Sequence, residues 1–241
     1  MRIARFRYCS KEAWGICEGA KIKTTGGAFD LNRVKLLAPA APSKIVLVGL
    51  NYRRHAEELR MSIPKEPLIF IKPPSSLCGQ GEKIIYPKGV KRLDYEGELA
   101  LVIKKKGRFI PESRAASYIL GYTCLNDVTA RDLQRRDGQW TRAKSFDTFS
   151  PVGPWLETQI DPSGLAIKTL VNGKLKQSSS TADFIFSIPR LVSFISRVMT
   201  LMPGDIISTG TPSGVGPMHP GDIVEVAIEG IGSLKNPIVS S

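Results

Sequence analysis

Short apolar runs between turn residues recur along the chain and predict a mainly β protein with short helices. The runs at 45–48, 68–71 and 99–103 contain Ile, Leu, Val, Phe and Ala and are bounded by turns, which is typical of strands. The third run has no polar alternation, so it predicts a strand buried on both faces. Segments 13–17 and 21–23 flank a Glu-Gly turn and predict a hairpin.

Helical signals appear in three other segments. Asn51 can cap a short helix over residues 53–60. Thr129 and Asp132 have the spacing of a capping box ahead of a second helix. Residues 190–200 repeat apolar side chains with a helical period and predict a third helix.

A proline-rich stretch, Pro39-Ala40-Ala41-Pro42, ends the first group of strands. We therefore predict a small N-terminal β subdomain at residues 1–40 and a larger main domain at 41–241. The 22 glycines and 17 prolines are spread along the chain, which agrees with many turns between short strands.

Composition places the chain among globular proteins, because 42% of its 241 residues are hydrophobic and 23% are charged. The first residues lack the apolar stretch of a signal peptide, and no apolar run reaches membrane-spanning length. We therefore expect a cytoplasmic protein without a membrane partner. The four cysteines form no C-x-x-C pair and only two histidines are present, so a structural zinc site is not expected.

The formal net charge is +12, and basic residues gather at 88–92, 104–108 and 131–144. Nucleic acid is a partner to consider, but the cluster at 104–108 follows an apolar strand as a solvated turn does. No nucleic-acid-binding motif or interleaved aromatic residues accompany it. We expect no nucleic-acid partner. A positive field that attracts small dianions explains the same charge, and a non-catalytic protein that binds anionic polymers is the alternative from another class.

Acidic residues at alternate positions are the sharpest chemical signal. On a strand, Asp94, Glu96 and Glu98 point to one face and lead into an apolar run. Burying an unpaired carboxylate costs several kcal/mol, roughly, so this ladder needs open solvent or a cation. Asp127, which follows the next strand, is either a turn residue or a fourth acid of the site. Carboxylate oxygens without nitrogen or sulfur ligands favour magnesium, manganese or calcium over zinc.

A histidine and an acid share one face of the first predicted helix, because His55 and Glu58 are three residues apart. This pair fits a general base and the carboxylate that orients it; the alternative is a packing or surface histidine. Serine-hydrolase and nucleotide motifs are missing. The chain has no G-x-S-x-G elbow and no phosphate-binding loop, since the glycine-rich segment 210–216 lacks the lysine.

Six segments together resemble the successive signatures of the fumarylacetoacetate hydrolase family, in the family's order. They are GLNYRRHAEE (49–58), FIKPPSS (70–76), DYEGELALVI (94–103), NDVTARDLQ (126–134), QWTRAKSFDTFSPVGP (139–154) and GTPSGVG (210–216). The resemblance covers the chain from about residue 45 to the end, and Ala143 stands where the family usually has a glycine. It implies a mixed β-roll or sandwich with small helices, often as a homodimer, and makes 41–241 the catalytic domain.

The resemblance also implies roles for particular residues. Glu96, Glu98 and Asp127 would bind Mg²⁺ or Mn²⁺, with Ca²⁺ possible. His55 and Glu58 would activate water or move a proton, and Lys144 would hold a substrate oxygen. Arg131, Gln134 and Thr211 would bind the substrate; otherwise Arg131 and Lys144 are surface ion pairs and Thr211 is a plain turn residue.

The implied substrates are small 2-oxo or enol carboxylic acids. Hydrolysis of a C–C bond in acylpyruvates such as fumarylpyruvate is the predicted reaction, because a complete dyad suggests water activation. The alternatives are isomerisation of 2-hydroxyhepta-2,4-diene-1,7-dioate and decarboxylation of 5-carboxymethyl-2-oxo-hex-3-ene-1,7-dioate or oxaloacetate. The sequence does not separate these reactions.

Overall fold

The computed structural model describes residues 1–58 and 60–241, and within these residues twenty strands form three sheets beside four α-helices. The strands are β1 (Arg2–Tyr8), β2 (Lys11–Glu18), β3 (Lys21–Thr24), β4 (Gly27–Asp30), β5 (Lys35–Leu37), β6 (Ile45–Gly49), β7 (Leu68–Lys72), β8 (Leu77–Cys78), β9 (Ile84–Tyr86), β10 (Leu93–Tyr95), β11 (Gly97–Ile103), β12 (Ile119–Asn126), β13 (Thr129–Ala130), β14 (Ser150–Glu157), β15 (Ala166–Val171), β16 (Lys174–Ser180), β17 (Ile206–Ser208), β18 (Gly216–Met218), β19 (Ile223–Ile228) and β20 (Gly232–Ser240). The α-helices are α1 (Arg53–Glu58), α2 (Arg131–Asp137), α3 (Thr141–Lys144) and α4 (Ile188–Val198). Short 3-10 helices span Leu31–Arg33, Pro74–Ser76, Glu112–Tyr118 and Thr181–Asp183. The prediction of a mainly β protein with short helices is confirmed.

The largest sheet runs in the order β4-β3-β2-β1-β14-β12-β11-β17-β6-β7, with β5 paired to β1 and β8 paired to β14. A second sheet has the order β16-β15-β19-β20-β9, and a small one has the order β13-β10-β18. Most pairs are antiparallel, whereas β17 with β6, β14 with β8 and β20 with β9 are parallel. The sheets bring β10, β11 and the end of β12 together in the middle of the molecule, which positions the acidic residues of the sequence signatures.

Alternate side chains of the central strands serve two hydrophobic cores. Val46 and Leu101 pack into a core shared with α4 and the second sheet, while Ile45 and Val102 pack on the opposite face. Every residue of β11 is buried, as the unbroken apolar run predicts. Removing such side chains from water is the main stabilising term for the sheet. The central strands are therefore a rigid support for the residues at their ends.

Helix α4 confirms the helical period at residues 190–200. The side chains of Leu191, Val192 and Ile195 are fully buried against the central sheet. Ser187 caps the helix by accepting a hydrogen bond from the backbone N–H of Arg190 at 3.4 Å.

The N-terminal strands extend the large sheet, because β1 pairs with β14 at Arg2 and Glu157. The predicted hairpin is confirmed as β2 and β3, with Cys17 opposite Ile22. A division of the chain at residue 40 stays a prediction.

Two predicted helix caps are wrong. The side chain of Asn51 bonds to the backbone of Phe186 and Thr209, and Asp183 accepts from the N–H of Arg54 at 3.3 Å instead. The described part of α1 spans Arg53–Glu58, residue 60 is not helical, contrary to the prediction, and Leu59 lies outside the described residues. Side chains distant in sequence therefore fix the start of α1.

The capping-box prediction at Thr129 and Asp132 fails for a similar reason. Thr129 lies in β13 and its hydroxyl donates to the carbonyl of Asp127 at 2.9 Å, while Asp132 accepts from the N–H groups of Lys91 and Arg92.

None of the helices in the described part of the chain is long and apolar enough to span a bilayer.

Candidate active site

Three carboxylates converge where the acidic strand is interrupted. Glu96 lies between β10 and β11, Glu98 is the second residue of β11, and Asp127 follows β12. All three are buried, and one oxygen from each lies within 4.8 Å of the others. The N–H of Asp127 donates to the carbonyl of Glu96 at 2.8 Å, which ties the two segments together.

Close backbone packing explains the residue between the two glutamates. Gly97 leaves no room for a Cβ, which would collide with the hydroxyl of Thr169. The N–H of Gly97 donates to Gln177 at 3.0 Å, and the N–H of Glu96 donates to the side chain of Asn126 at 2.9 Å. The strand therefore holds Glu96 and Glu98 in fixed positions on either side of a glycine.

Cationic side chains surround two of the three carboxylates. Lys144 donates to Glu96 at 3.0 Å and to Asp127 at 2.5 Å. The guanidinium of Arg131 bonds to Glu96 and, at 2.9 Å, to Asp94. Both cations were predicted from the sequence, and both are too deeply placed to be surface ion pairs, since their side chains are 3% and 16% exposed.

Glu98 differs from its neighbours because no cation touches it in the described structure. Its Oε2 accepts from the hydroxyl of Ser208 and, at 2.9 Å, from the N–H of Gly210. Burial and the negative charges of Asp127 and Glu96 raise the pKa of Glu98 well above its usual value. Burial also acts on Glu96, but Lys144 and Arg131 outweigh it and lower the pKa of Glu96 to about 2.

The donor set fits a hard divalent cation. Three buried carboxylates direct oxygens towards one another, and Glu98 has no cationic partner within the described structure, so a bound cation would complete its partners. The three acids supply only oxygen, which suits magnesium, manganese or calcium. The buried position makes the solvated strand end, the other interpretation of the acidic ladder, inconsistent with the structure.

The predicted dyad forms on α1. His55 Nδ1 lies 2.9 Å from Glu58 Oε2, and the imidazole is 11% exposed. Glu58 also accepts from the N–H of Gly214 at 3.2 Å and 3.3 Å. Gly214 has a φ of +93°, and a Cβ there would collide with the carbonyl of Lys176. The glycine-rich turn therefore fixes the acid of the dyad.

The remaining predicted residues already have partners inside the protein. Gln134 accepts from the guanidinium of Arg131. The hydroxyl of Thr211 donates to the carbonyl of Gly97 at 3.0 Å and accepts from Gln177 at 2.8 Å. Both residues therefore brace the groups that hold the carboxylates as well as facing the cavity.

One cavity of about 480 Å³ brings the predicted residues together. All nine line it: His55, Glu58, Glu96, Glu98, Asp127, Arg131, Gln134, Lys144 and Thr211. Phe70, Trp140 and Leu50 add apolar walls. The volume suits a small organic acid, and the polar groups concentrate around the carboxylates.

Sequence reasoning missed a buried cation behind the cavity. Lys72 is fully buried and donates to Asp127 at 2.8 Å and to the carbonyls of Val128 and Phe149 at 3.3 Å and 2.5 Å. Burial lowers the pKa of Lys72 and outweighs the opposing effect of Asp127. A lysine at the end of an apolar strand, directly before two prolines, was the available signal. Asp94, the first acid of the acidic ladder, forms ion pairs with Arg92 and Arg131.

A family model described as fumarylacetoacetate (FAA) hydrolase, C-terminal, matches residues 44–239, which include every residue of the cavity described above. The chain belongs to the fumarylacetoacetate hydrolase family. A second model, described as Rv2993c-like, N-terminal, matches residues 1–39.

Solved structures and curated proteins extend this family match. The structure of 5-carboxymethyl-2-hydroxymuconate delta-isomerase from Mycobacterium smegmatis is 45% identical and covers 100% of this chain and 99% of its own, with a TM-score of 0.94. Maleylpyruvate hydrolase from Sphingobium sp. SYK-6, solved with manganese(II) and pyruvate, is 30% identical over 100% of both chains, with a TM-score of 0.85. Oxaloacetate tautomerase YisK of Bacillus subtilis strain 168 is 45% identical over 87% of this chain and 75% of its own. The fumarylacetoacetate hydrolase fold and family predicted from the sequence are confirmed.

Proposed function

We propose that Glu96, Glu98 and Asp127 hold a divalent cation, Mg²⁺ or Mn²⁺ with Ca²⁺ possible, in an enzyme that acts on small 2-oxo or enol carboxylic acids. A divalent cation bound there would polarise the oxygens of a 2-oxo carboxylate and stabilise developing negative charge. The facing, buried carboxylate oxygens support this assignment. The manganese and pyruvate in the Sphingobium relative agree with it.

The reaction we propose is hydrolysis of the C–C bond of acylpyruvates such as fumarylpyruvate. The observation that carries it is the pairing of His55 with Glu58 at 2.9 Å on the lining of the same cavity as the carboxylates. Since Nδ1 faces Glu58, the other ring nitrogen, Nε2, is available to take a proton from water. The water oxygen attacks the C4 carbonyl, and the C3–C4 bond breaks with its electron pair going to C3. The proton that His55 took from water is then returned to C3, which gives pyruvate beside the released acid.

Lys144, Arg131, Gln134 and Thr211 complete this proposal as substrate-binding groups. The ammonium of Lys144 lies between Glu96 and Asp127, so it is placed to bind a substrate oxygen held at the carboxylates. Arg131 and Gln134 lie on the same cavity wall, and Thr211 lies beside Gly97. A positively charged wall favours an anionic substrate.

Isomerisation or tautomerisation is the second candidate. The observation that favours it is the similarity to the Mycobacterium isomerase and the Bacillus tautomerase, each 45% identical, compared with 30% for the hydrolase. In that reaction His55 would move a proton between carbon and oxygen without water attack. Loss of carbon dioxide from oxaloacetate is a third outcome of the same site.

A substrate panel with purified protein and magnesium tests these alternatives. We expect pyruvate from acetylpyruvate or fumarylpyruvate, with turnover lowered about 10² to 10⁴-fold in His55→Ala and strongly lowered in Glu58→Gln. His219→Ala is the matched control, because His219 is exposed and is not part of the cavity lining. Faster oxaloacetate tautomerisation, decarboxylation or dienoate isomerisation that survives both dyad variants would show that the hydrolase assignment is wrong.

A further inference from the structure

The cationic side chains that line the 480 Å³ cavity differ in their partners. These side chains are Arg92, Arg131, Arg135 and Lys144. Three of them bond to the acidic residues described above. Within residues 1–58 and 60–241, Arg135 is the cation of this wall that no carboxylate pairs.

Helix α2 places this unpaired cation away from the carboxylates. Arg131 and Arg135 are one turn apart on the same face, which separates them by about 6 Å along the helix axis. Arg131 is anchored at the inner end by Glu96, and its side chain is 16% exposed. Arg135 is exposed, so the positive charge of the wall continues from the carboxylates towards the mouth of the cavity.

Apolar side chains also reach the exposed part of the lining, since Met61 and Leu68 are exposed. Leu50, Met61, Leu68 and Val215 line the cavity with apolar side chains. A substrate that places its 2-oxo acid at the carboxylates extends along these walls. Its far end can then reach Arg135, the guanidinium of the lining that has no carboxylate partner among residues 1–58 and 60–241. A guanidinium is suited to bind a carboxylate through two parallel hydrogen bonds.

We propose that Arg135 determines specificity by binding a second carboxylate of the substrate, so that dicarboxylic 2-oxo acids are preferred to monocarboxylic ones. The proposal rests on the proposed function, because it assumes that the 2-oxo acid end lies at Glu96, Glu98 and Asp127. It adds a selection among substrates that the dyad and the carboxylates do not provide.

A pair of ligands that differ mainly in the distal carboxylate provides the test. The affinities of 2-oxoglutarate and 2-oxopentanoate are measured by titration calorimetry, with magnesium, for the wild-type chain, Arg135→Gln and Arg136→Gln. Arg136 is the matched control, because it is the next residue of α2, pairs with Asp137 at 3.4 Å and is not part of the cavity lining.

We expect wild type to bind 2-oxoglutarate about 10- to 100-fold more tightly than 2-oxopentanoate, as a charge-assisted hydrogen bond allows. Arg135→Gln should remove this preference and leave the binding of 2-oxopentanoate within about two-fold, while Arg136→Gln should keep the preference. Equal affinities in wild type, no binding of either acid, or equal losses in the two variants would overturn the proposal. Binding is measured here without turnover. If the hydrolase assay failed but the wild-type chain still preferred 2-oxoglutarate, that preference would still support the role of Arg135.

Discussion

Replacing Lys72 by methionine tests whether the buried cation supports the candidate metal site. Lys72 has no exposed surface, and its ammonium bonds to one carboxylate, Asp127, and to two backbone carbonyls. Methionine keeps the approximate length of the side chain but donates no hydrogen bond. The variant therefore leaves the carboxylate and the carbonyls without this donor inside the protein.

The expected cost follows from that loss. Removing one partner of a buried ion pair destabilises a protein by about 3–5 kcal/mol, because the other charge stays buried. For a chain of this size, each kcal/mol lowers Tm by about 2–4 °C, so Lys72→Met should melt roughly 6–20 °C below wild type. Lys144 also contacts Asp127, which places the effect towards the lower end.

Urea denaturation in EDTA measures this cost without a bound metal. Lys235→Met is the control, because Lys235 is 54% exposed in its 3.2 Å pair with Glu225, and exposed pairs contribute only about 0–1 kcal/mol. Adding Asp127→Asn to Lys72→Met should recover part of the loss, since the unpaired charge is then removed. A free energy of unfolding for Lys72→Met within about 1 kcal/mol of wild type would refute the reasoning.

Two further predictions concern metal and pH. Magnesium or manganese should raise Tm relative to EDTA, by an amount equivalent to about 2.7 kcal/mol when the metal is at 100 times its Kd. Glu98→Ala should abolish this shift in Tm, and an equal shift in that variant would contradict the metal site. Burial raises the pKa of Asp205, but hydrogen bonds from Lys44 and Ser43 outweigh it and hold the pKa below its usual range. The stabilisation by ionised Asp205 is therefore present above the ordinary pKa of an aspartate and is lost as the pH falls through the lowered pKa of the folded protein. Asp205→Asn should flatten the acid limb of the curve of unfolding free energy against pH, and an unchanged limb would show that the ion pair contributes nothing.

The acidic site was predictable from the sequence because its spacing is local. His55 and Glu58 are three residues apart on a helix, so their shared face follows from helix geometry. Glu96 and Glu98 are two residues apart, which predicts that they lie close together, although Glu96 lies between β10 and β11. The resemblance to the fumarylacetoacetate hydrolase family, carried by the order of the six segments, assigned the remaining residues to the same site. The structure then placed all nine predicted residues around one cavity.

The supporting contacts were not predictable in the same way. Lys72 reaches Asp127 across 55 residues, and Asn51 reaches Phe186 across 135. A lysine near apolar residues is usually exposed, and an asparagine before a helix usually caps it. Tertiary contacts override both tendencies here, and no periodic pattern records such contacts. The buried cation and the missing cap therefore appear only when the sheets are assembled.

The two halves of the site are supported by different parts of the fold, and this bears on the choice between reactions. The carboxylates lie at the ends of central strands with buried faces, whereas His55 lies on a helix of six residues. An isolated helix of that length is not stable. The position of the dyad therefore depends on three contacts, which join Asn51 to Thr209, Arg54 to Asp183 and Glu58 to Gly214. Changes in these contacts would move His55, the proposed proton-transfer group, while the carboxylates stay in place. A site built in this way allows water attack and proton transfer to share one set of carboxylates, and the contacts of α1 are where the two reactions would diverge.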